Sequence, residues 1–460
     1  MTYCGCKFLG AVALSLLSAG YIKAQDTRTV TEPVIPLSCA VLKAQLQSVD
    51  GVFSDEHETQ PDTKRIQAEL DKCGKGKAVE LAADGTKNAF LSGPLELRGD
   101  VTLLIDKGAA LYASRDPKDY ELRSGSCGIV AHGEKPGCKA FISAKSAKNV
   151  SIMGDGIIDE RGGAKMLGSN KAWWDLAADV KASGKGRQEV PRFIDTDHTD
   201  NFTLYRITLK NSAMTHIAVH YSNGVTLWGV KIDTPVGALN TDGFDPSAST
   251  NITVTDSYIR DGDDDIAIKA GLGPVKYMSV VHNHFYSGHG MSVGSDTADG
   301  VSMLLVRDLS LDGTKWGIRI KSNATRGGLV DGVVYDDVCI RNSKLPISLT
   351  TDYFLIGKTP DSYPVFRNIL LHNVRLSGGG KIELNGFDAK HRVGIQFDGV
   401  LSTDNSSRYT ASIKHADITL GPGAVNLPLS GGEDSTLHGS AATGSPASCE
   451  AKFVPFPVTQ

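Results

Sequence analysis

Three short segments of this 460-residue chain place carboxylates and a histidine at a fixed distance from an apolar residue. Asp242, Asp264 and His289 each lie two positions before that residue, and the fourth segment, Arg319-Ile320-Lys321, follows one repeat later. If the repeats stack as parallel strands, successive turns lie ~4.8 Å apart. Acids, an imidazole and two cations would then share one groove. Such a groove is suited to cleaving a sugar chain, and the cations indicate an acidic one.

The acidic segments hold enough carboxylates for acid–base chemistry. Asp242, Asp263 and Asp264 would lie close together, and like charges at that distance cannot all ionise freely, so one acid should keep its proton to higher pH. Glycoside hydrolysis requires one protonated acid for the leaving oxygen and one carboxylate for water. His289, next in the stack, would tune or orient the proton of the acid.

Arg319 and Lys321 form a candidate site for a carboxylate. They lie two positions apart on a predicted strand and therefore point outward together. Their equivalents one repeat earlier, Ser292 and Gly294, are small enough to leave room for a ligand, and neither is an acid that would neutralise the cations. A guanidinium fork beside a compact ammonium group suits carboxylate binding.

Each segment taken alone has a simpler interpretation. The Asp-Gly pair at 242–243 is common in turns, the acids at 263–265 would suit a calcium loop or a solvated corner, and 288–290 would suit a flexible turn. Their shared register and order favour a single site instead. His282 and His284 share a strand face at metal-like spacing, but exposed histidines are common, so we expect no metal and no cofactor.

A second strand pattern recurs beside these segments, with two apolar residues two apart and a third apolar residue five further on. Copies begin at Val150, Phe202, Val225, Ile252, Met278, Leu304, Val333 and Ile369. This alternation marks short strands with one buried face. Because no helical pattern between copies is long enough for a crossover, each parallel strand must return by winding round. The prediction is an all-β chain, a right-handed parallel β-helix.

Asparagines stand immediately before four of the strand copies. They are Asn149, Asn201, Asn251 and Asn368. Asparagine tolerates left-handed backbone and caps turns with its side chain. The first three, together with Asn323, also match glycosylation sequons, but the position of those three in the repeat already explains them as turn residues.

The two ends of a solenoid need cover. At the N-terminal end, Asp62 or Thr63 would cap a helix that carries Ile66, Leu70 and Cys73 on one face. This predicts an N-terminal capping helix over the first turn.

Two further segments break the repeat. The charged, Gly-rich segment from Glu160 to Pro191 is expected to be a long excursion that walls the groove. Residues 430–460 are expected to form a loose C-terminal tail, since 430–448 is rich in Gly, Ser and Ala. Only a bonded Cys449 would tie that tail down.

The first 24 residues have the pattern of a secretory signal peptide. Lys7 precedes an apolar run from Phe8 to Ala19, and 22–24 is a plausible cleavage site. The run is too short to cross ~30 Å of hydrocarbon, and no later segment reaches that length. We expect a secreted protein without a membrane anchor, whose residues 25–460 form one catalytic domain.

Six cysteines remain once Cys4 and Cys6 are removed with the signal peptide. An even number in an exported chain suggests disulfides. Local pairing would join Cys39 to Cys73 and Cys127 to Cys138, leaving Cys339 with Cys449, although the sequence leaves the connectivity open.

The charge balance argues against nucleic acid as a partner. Removing Lys7 and Lys23 from 48 basic residues leaves 46 against 52 acidic ones, a net charge of −6. No basic tract is visible, which disfavours nucleic-acid binding. An acidic polymer would have to be held by a local cluster such as Arg319 and Lys321. A monomer is expected.

Four motifs in this order resemble the polygalacturonases of glycoside hydrolase family 28. They are NTDGFD (240–245), DGDDDIAIKAG (261–271), GHGMSVGSDT (288–297) and GIRIKS (317–322). The resemblance extends from about Pro191 to Tyr353. It implies a right-handed parallel β-helix that hydrolyses the α-1,4-galacturonosyl linkages of polygalacturonate, or de-esterified pectin, with inversion. Endo attack is favoured over exo attack.

The resemblance also implies roles for the catalytic residues. Asp263 would be the general acid, and Asp242 and Asp264 would share activation of the water. His289 would support protonation of the acid. One departure from the family is Asp265, where relatives often have cysteine or asparagine, and it would add negative charge near the acid.

The resemblance also implies a set of residues that would bind substrate. Arg319 and Lys321 would hold a galacturonate carboxylate beside the cleaved bond. Tyr353 matches the substrate-contacting tyrosine of the family more weakly, and Asn240 would shape the site.

The sequence leaves three alternative functions to consider. A pectate lyase would share the fold and the polymer but would need calcium and a basic residue to abstract a proton. A rhamnogalacturonan hydrolase would share the aspartate segments, but it is not expected to have the His289 and Arg319/Lys321 segments. A non-catalytic β-helix that binds polysaccharide would have no reason to place Asp242, Asp263 and Asp264 together.

Overall fold

The computed structural model describes residues 25–49, 51–133, 137–354 and 362–458. The expected signal peptide at 1–24 lies outside the described residues. Within them, no helix is long and apolar enough to cross a membrane.

In the described part of the chain, the larger of the two main sheets contains 20 strands, which pair in parallel. In the first half of the chain each turn gives this sheet two short strands, and from Val275 onward one long strand replaces them. Its members are β1 (Ser38–Lys43), β4 (Lys77–Ala82), β5 (Ala89–Ser92), β7 (Val101–Ile105), β8 (Ala110–Ala113), β11 (Ser151–Met153), β12 (Ile157–Asp159), β15 (Phe202–Tyr205), β16 (Thr208–Lys210), β18 (Asn223–Trp228), β19 (Lys231–Asp233), β21 (Thr250–Thr255), β22 (Tyr258–Asp261), β24 (Val275–Ser287), β26 (Val301–Asp312), β28 (Leu329–Arg341), β30 (Val365–Ser377), β32 (Val393–Ser402), β34 (Ala416–Leu420) and β35 (Thr436–His438).

The second sheet, called the site sheet below, has 11 parallel strands within the described residues. Its members are β6 (Leu95–Glu96), β10 (Ile142–Lys145), β14 (Ile194–Asp197), β17 (Ile217–His220), β20 (Phe244–Ser247), β23 (Ile266–Ile268), β25 (Met291–Gly294), β27 (Trp316–Lys321), β29 (Leu345–Thr350), β31 (Gly380–Asn385) and β33 (Tyr409–Lys414).

Smaller elements decorate the two sheets. Two antiparallel hairpins pair β2 (Ser48–Val49) with β3 (Val52–Phe53) and β9 (Ile129–Ala131) with β13 (Arg187–Glu189). The described helices are α1 (Thr63–Lys72), α2 (Pro117–Tyr120), α3 (Trp173–Ser183) and 3-10 turns at Asp55–Thr59, Ser406–Arg408 and Glu450–Lys452.

The predicted register is confirmed on both sheets. On the site sheet, Phe244 pairs with Ile266, Ile266 with Met291 and Met291 with Ile318. On the larger sheet, Val225, Ile252, Met278 and Leu304 pair in succession. Their apolar side chains point inward into one continuous core. The chain is therefore a right-handed parallel β-helix, as the repeats predict.

The corner asparagines adopt the left-handed backbone that their position predicts. Asn149, Asn201, Asn251 and Asn368 have φ between 52° and 56°. Their side chains also connect successive turns, because Asn201 Nδ2 donates to Asn149 Oδ1 at 3.0 Å. The interpretation of these residues as turn residues is confirmed.

The N-terminal capping helix is present as α1. Ile66 and Leu70 are buried on its inner face, and Cys73 is bonded to Cys39. Asp62 occupies the N-cap position, but its side chain does not cap the helix. It instead accepts a hydrogen bond from the Leu91 backbone NH at 3.1 Å, which ties the helix to β5.

The segment from Glu160 to Pro191 contains structure that the sequence analysis did not predict. Eleven of its residues form α3, and β13 pairs with β9 close to the Cys127–Cys138 disulfide. Trp173 is buried, and Trp174 Nε1 donates to Ser212 O at 2.8 Å. These contacts fasten the excursion against the turns beside the groove.

The C-terminal segment is more tightly held than the expected loose tail. β35 extends the larger sheet, and Cys449 is bonded to Cys339 of β28. Beyond that bond the chain runs along the larger sheet, where Tyr286 Oη donates to Val454 O at 2.8 Å. Lys452 adds ion pairs with two aspartates of neighbouring turns. All three disulfides match the local pairing considered from the sequence.

Candidate active site

The candidate residues lie on four successive rungs of the site sheet. Asp242 precedes β20, Asp263 and Asp264 precede β23, His289 precedes β25, and the two cations belong to β27. The turns before these strands are tight. A Cβ at Gly262 would lie 1.9 Å from Ala238 O, and Gly290 has φ of +76°. Glycine is therefore required beside the chemical groups, which explains the Gly-rich motifs.

Asp263 and His289 form a bonded pair at the edge of the groove. His289 Nδ1 lies 3.0 Å from Asp263 Oδ1, and each side chain is about one quarter exposed. The His289 backbone NH also donates to Asp263 O at 2.6 Å. The imidazole is thus fixed against a carboxyl that remains open to the groove.

Asp264 is buried under both cations. Lys321 Nζ lies 2.5 Å from Asp264 Oδ2, and Arg319 Nη1 lies 3.1 Å from Asp264 Oδ1. Ser292 Oγ donates to the same carboxylate at 2.7 Å. Burial raises the pKa of Asp264, but the charges of Lys321 and Arg319 outweigh that effect and leave the pKa lowered. Asp264 is held as the carboxylate.

The sequence did not predict the counter-charge that Arg319 and Lys321 have in the structure. The residues one turn earlier are small, as the sequence shows, but Asp264 is two turns earlier and its carboxylate contacts both cations. The side chains of Arg319 and Lys321 extend over the intervening turn to reach Asp264, because Ser292 on that turn is small. Arg319 and Lys321 are consequently only 4% and 5% exposed.

Asp242 shares a lysine with Asp245. Lys269 Nζ lies 3.2 Å from Asp242 Oδ2 and is also paired with Asp245. Burial raises the pKa of Asp242 well above its usual range, the Asp245 charge raises it further, and the Lys269 charge opposes both. Burial lowers the pKa of Lys269, but the charges of Asp242 and Asp245 outweigh this and leave it raised.

Sequence reasoning missed Lys269 and Asp245, although a signal for both was available. Lys269 pairs in register with Ser247 on the preceding strand. Gly294 and Lys321 occupy the equivalent outward-facing positions on the two strands that follow. Asp245 is outward in the same way on β20. Extending the register from the acidic segments into the strands would have placed both beside Asp242.

Asp265 does not stand in the groove. Its side chain is fully buried beneath the turn, where Oδ2 accepts a hydrogen bond from the Gly290 NH at 2.8 Å. Burial raises the pKa of Asp265 well above its usual range. The residue therefore supports the His289 turn and adds less negative charge near the acid than expected.

Tyr353 and Asn240 border the site on different sides. The Tyr353 ring centre lies 5.3 Å from Arg319 Cζ and 5.2 Å from Lys321 Nζ, so the tyrosine lies beside the cations. Asn240 is exposed, and its Nδ2 donates to Gln188 Oε1 of β13 at 3.1 Å. The excursion thus reaches the edge of the groove at Asn240.

Trp316 is a further residue of the site that sequence reasoning missed. Its ring centre lies 4.8 Å from that of His289 and 3.7 Å from Arg319 Cζ. It therefore packs between the imidazole and the guanidinium. Its position at the start of β27, two residues before Ile318, was the available signal.

One group of donors has the spacing of a metal site. Asp263, Asp264 and His289 offer ligand atoms within 4.8 Å of one another. Asp264 already pairs with two cations, and their positive charge opposes a metal ion. His282 and His284 do not act together, because their Nδ1 atoms contact Asp308 and Ser310 respectively.

The fold and the site together define the class of the protein. Carboxylates of distinct environments lie beside cations on the outer face of a parallel β-helix, an arrangement suited to hydrolysing an acidic polysaccharide. The sequence profile of the glycosyl hydrolases family 28 matches residues 73–420. The chain belongs to this family.

Comparison with individual proteins agrees with the family. The chain is 37% identical to a polygalacturonase from Ralstonia solanacearum, over 97% of both chains. It is 42% identical to an endo-polygalacturonase from Pectobacterium carotovorum, over 87% of this chain and 94% of the relative. The solved polygalacturonase from Erwinia carotovora superposes with a TM-score of 0.78 at 40% identity, over 86% of this chain and all of the other.

Proposed function

We propose that this chain is a secreted endo-polygalacturonase that hydrolyses the α-1,4-galacturonosyl linkages of de-esterified pectin with inversion. The observation that carries the proposal is the division of the carboxylates into different environments. Asp263 is bonded to His289 at the groove, whereas Asp264 is buried and ionised beneath two cations. The similarity to endo-polygalacturonases supports the substrate and the endo mode.

The proposed reaction assigns one proton movement to each side of the cleaved bond. Asp263 gives its proton to the glycosidic oxygen as the bond to the anomeric carbon breaks. A water attacks that carbon from the opposite face, and its proton passes to Asp264 or Asp242, which together position it. Arg319 and Lys321 orient a galacturonate carboxylate through donor positions that Asp264 leaves free.

Export is part of the proposal and has its own support. The signal-like segment at 1–24 and the three disulfides are both typical of secreted proteins. N-terminal sequencing of protein recovered from culture medium should begin at Gln25. Retention of the full chain inside the cell would contradict this part of the proposal.

The decisive test is the product released from polygalacturonate in EDTA. Hydrolysis should release reducing ends without new ultraviolet absorbance from unsaturated sugars, and viscosity should fall early, as endo attack requires. A lyase that uses a metal at Asp263, Asp264 and His289 would instead lose activity in EDTA and would produce that absorbance in calcium. A non-catalytic binder would release nothing under either condition.

A further inference from the structure

Three lysines near the site have no carboxylate partner among the residues that the structure describes. We call Lys315 before β27, Lys344 before β29 and Lys181 of α3, whose charge lowers the pKa of Lys315, the lysine ridge. Lys315 Nζ lies 4.2 Å from the centre of the Trp316 ring, and the same ring contacts His289. Lys315 therefore borders the groove on the side of the proposed acid.

Two of the three lysines lie on adjacent rungs. The Lys315 NH donates to Gly288 O at 2.8 Å, and the Leu345 NH donates to Lys315 O at 3.2 Å. Register then places Lys344 one rung, ~4.8 Å, beyond Lys315. Gly288 and Gly379 occupy the flanking rungs of this column, so no bulky side chain from them covers the lysines.

The ridge lacks the counter-charge that the other site cations have. Asp264 neutralises Arg319 and Lys321, and Lys269 is paired with two aspartates. Among the described residues, the ion pairs of the site involve Lys269, Arg319 and Lys321 and none of the ridge lysines. Partial burial lowers the pKa of Lys315, the positive charges of Arg319, Lys181 and Lys344 lower it further, and the negative charge of Asp263 opposes these effects without reversing them. An anion among these lysines would relieve their mutual repulsion.

We propose that the lysine ridge is a second carboxylate-binding site, which holds a uronate carboxylate other than the one at Arg319 and Lys321. This inference rests on the proposed function, since each residue of polygalacturonate has one carboxylate. The lysines are exposed, so the ridge strengthens binding and makes it sensitive to salt, while the chemical step remains with the aspartates.

The first test compares kinetic constants of single and double variants on polygalacturonate. Lys344→Met is the decisive variant because, among the described cation–π contacts, the one between a ridge lysine and Trp316 belongs to Lys315, and Lys315→Met and Lys181→Met complete the set. KM should rise about two- to five-fold for each lysine removed, the size expected of an exposed ion pair, with kcat near that of the wild type. Added salt should raise KM less in the Lys315→Met/Lys344→Met double variant than in the wild type.

A matched control and a conservative variant separate charge from structure. Lys276→Met removes an exposed lysine from β24 on the larger sheet, and it should leave KM unchanged. Lys344→Arg keeps the charge and should retain wild-type KM. A fall in kcat with unchanged KM in Lys344→Met would mean structural support only and would overturn the proposal.

Direct binding supplies the second test. In an Asp263→Asn background, calorimetry with polygalacturonate should show weaker binding when Lys344 is replaced, whereas fully methyl-esterified pectin should show no further loss. Unchanged binding of the acidic polymer, or equal loss for both polymers, would overturn the second site alone. A wild type that hydrolyses no polygalacturonate would instead overturn the proposed function, and the ridge proposal with it.

Discussion

At the scale of single residues, three aspartates on two neighbouring turns have different partners. Asp263 contacts a histidine at the groove, Asp264 lies under two cations, and Asp242 shares a lysine with another acid. The environments of Asp264 and Asp242 therefore shift the pKa values of these two carboxyls in opposite directions, down for Asp264 and up for Asp242, and such a separation favours distinct roles in catalysis. The same contacts decide which substitutions alter stability as well as activity.

Asp263→Asn and Asp264→Asn should both impair turnover but differ in stability. Either loss should lower kcat about 10²–10⁴-fold if the group takes part in acid–base catalysis. Asp264→Asn should also lower the free energy of unfolding by about 3–5 kcal/mol, because Arg319 and Lys321 would be buried without a counter-charge. Reducing-end assays and denaturant unfolding check the two effects. Equal stability of both variants would contradict the buried ion cluster.

Lys269→Met should move the acidic limb of the activity profile to higher pH. The charge of Lys269 lowers the pKa of Asp242 against the effects of burial and Asp245. Without that charge the pKa of Asp242 rises further. If Asp242 must be ionised to act as the base, activity then begins to fall at a higher pH as the solution is acidified.

The measurement is kcat/KM as a function of pH, with Lys276→Met as the matched control. Lys269→Arg should keep the wild-type limb because it retains the charge. An unchanged limb in Lys269→Met would show that ionisation of Asp242 does not limit the reaction.

At the scale of elements, the corners between strands depend on residues that tolerate left-handed backbone. Asn201 has φ of 55°, and its side chain donates to Asn149 one turn away. Asn201→Ala should therefore lower the free energy of unfolding by about 1–2 kcal/mol. Asn201→Gly should cost less, since glycine adopts this backbone freely. Chemical unfolding of the pair checks the order, and greater loss in the glycine variant would contradict it.

At the scale of the whole molecule, the C-terminal segment ties successive turns of the larger sheet together. The Cys339–Cys449 disulfide spans 110 residues. Cys449→Ser should lower the free energy of unfolding by about 3–5 kcal/mol, because the unfolded chain regains the freedom of a long loop. Cys339→Ser should behave alike.

Turnover at 25 °C should be retained in both cysteine variants, since β28 belongs to the larger sheet and the candidate residues lie on the site sheet. Thermal unfolding and reducing-end assays on the same samples check this. Loss of activity without loss of stability would show that the C-terminal segment acts on the groove.

The sequence by itself determined the solenoid and the register of the site. Strand alternation decides which side chains point inward, and this local rule aligned Phe244, Ile266, Met291 and Ile318 correctly. The corner asparagines were predictable for the same reason, because a turn conformation depends on the residue that adopts it.

Only the tertiary structure decided which charges meet. Asp264 is 57 residues from Lys321 in sequence, yet their atoms lie 2.5 Å apart because long side chains reach across an intervening turn. Alternation along a strand fixes the face of a residue, but it does not fix how far its side chain extends over neighbouring turns. For the same reason, Lys315 and Lys344, each in the turn before its strand, become neighbours beside the groove only when the turns stack.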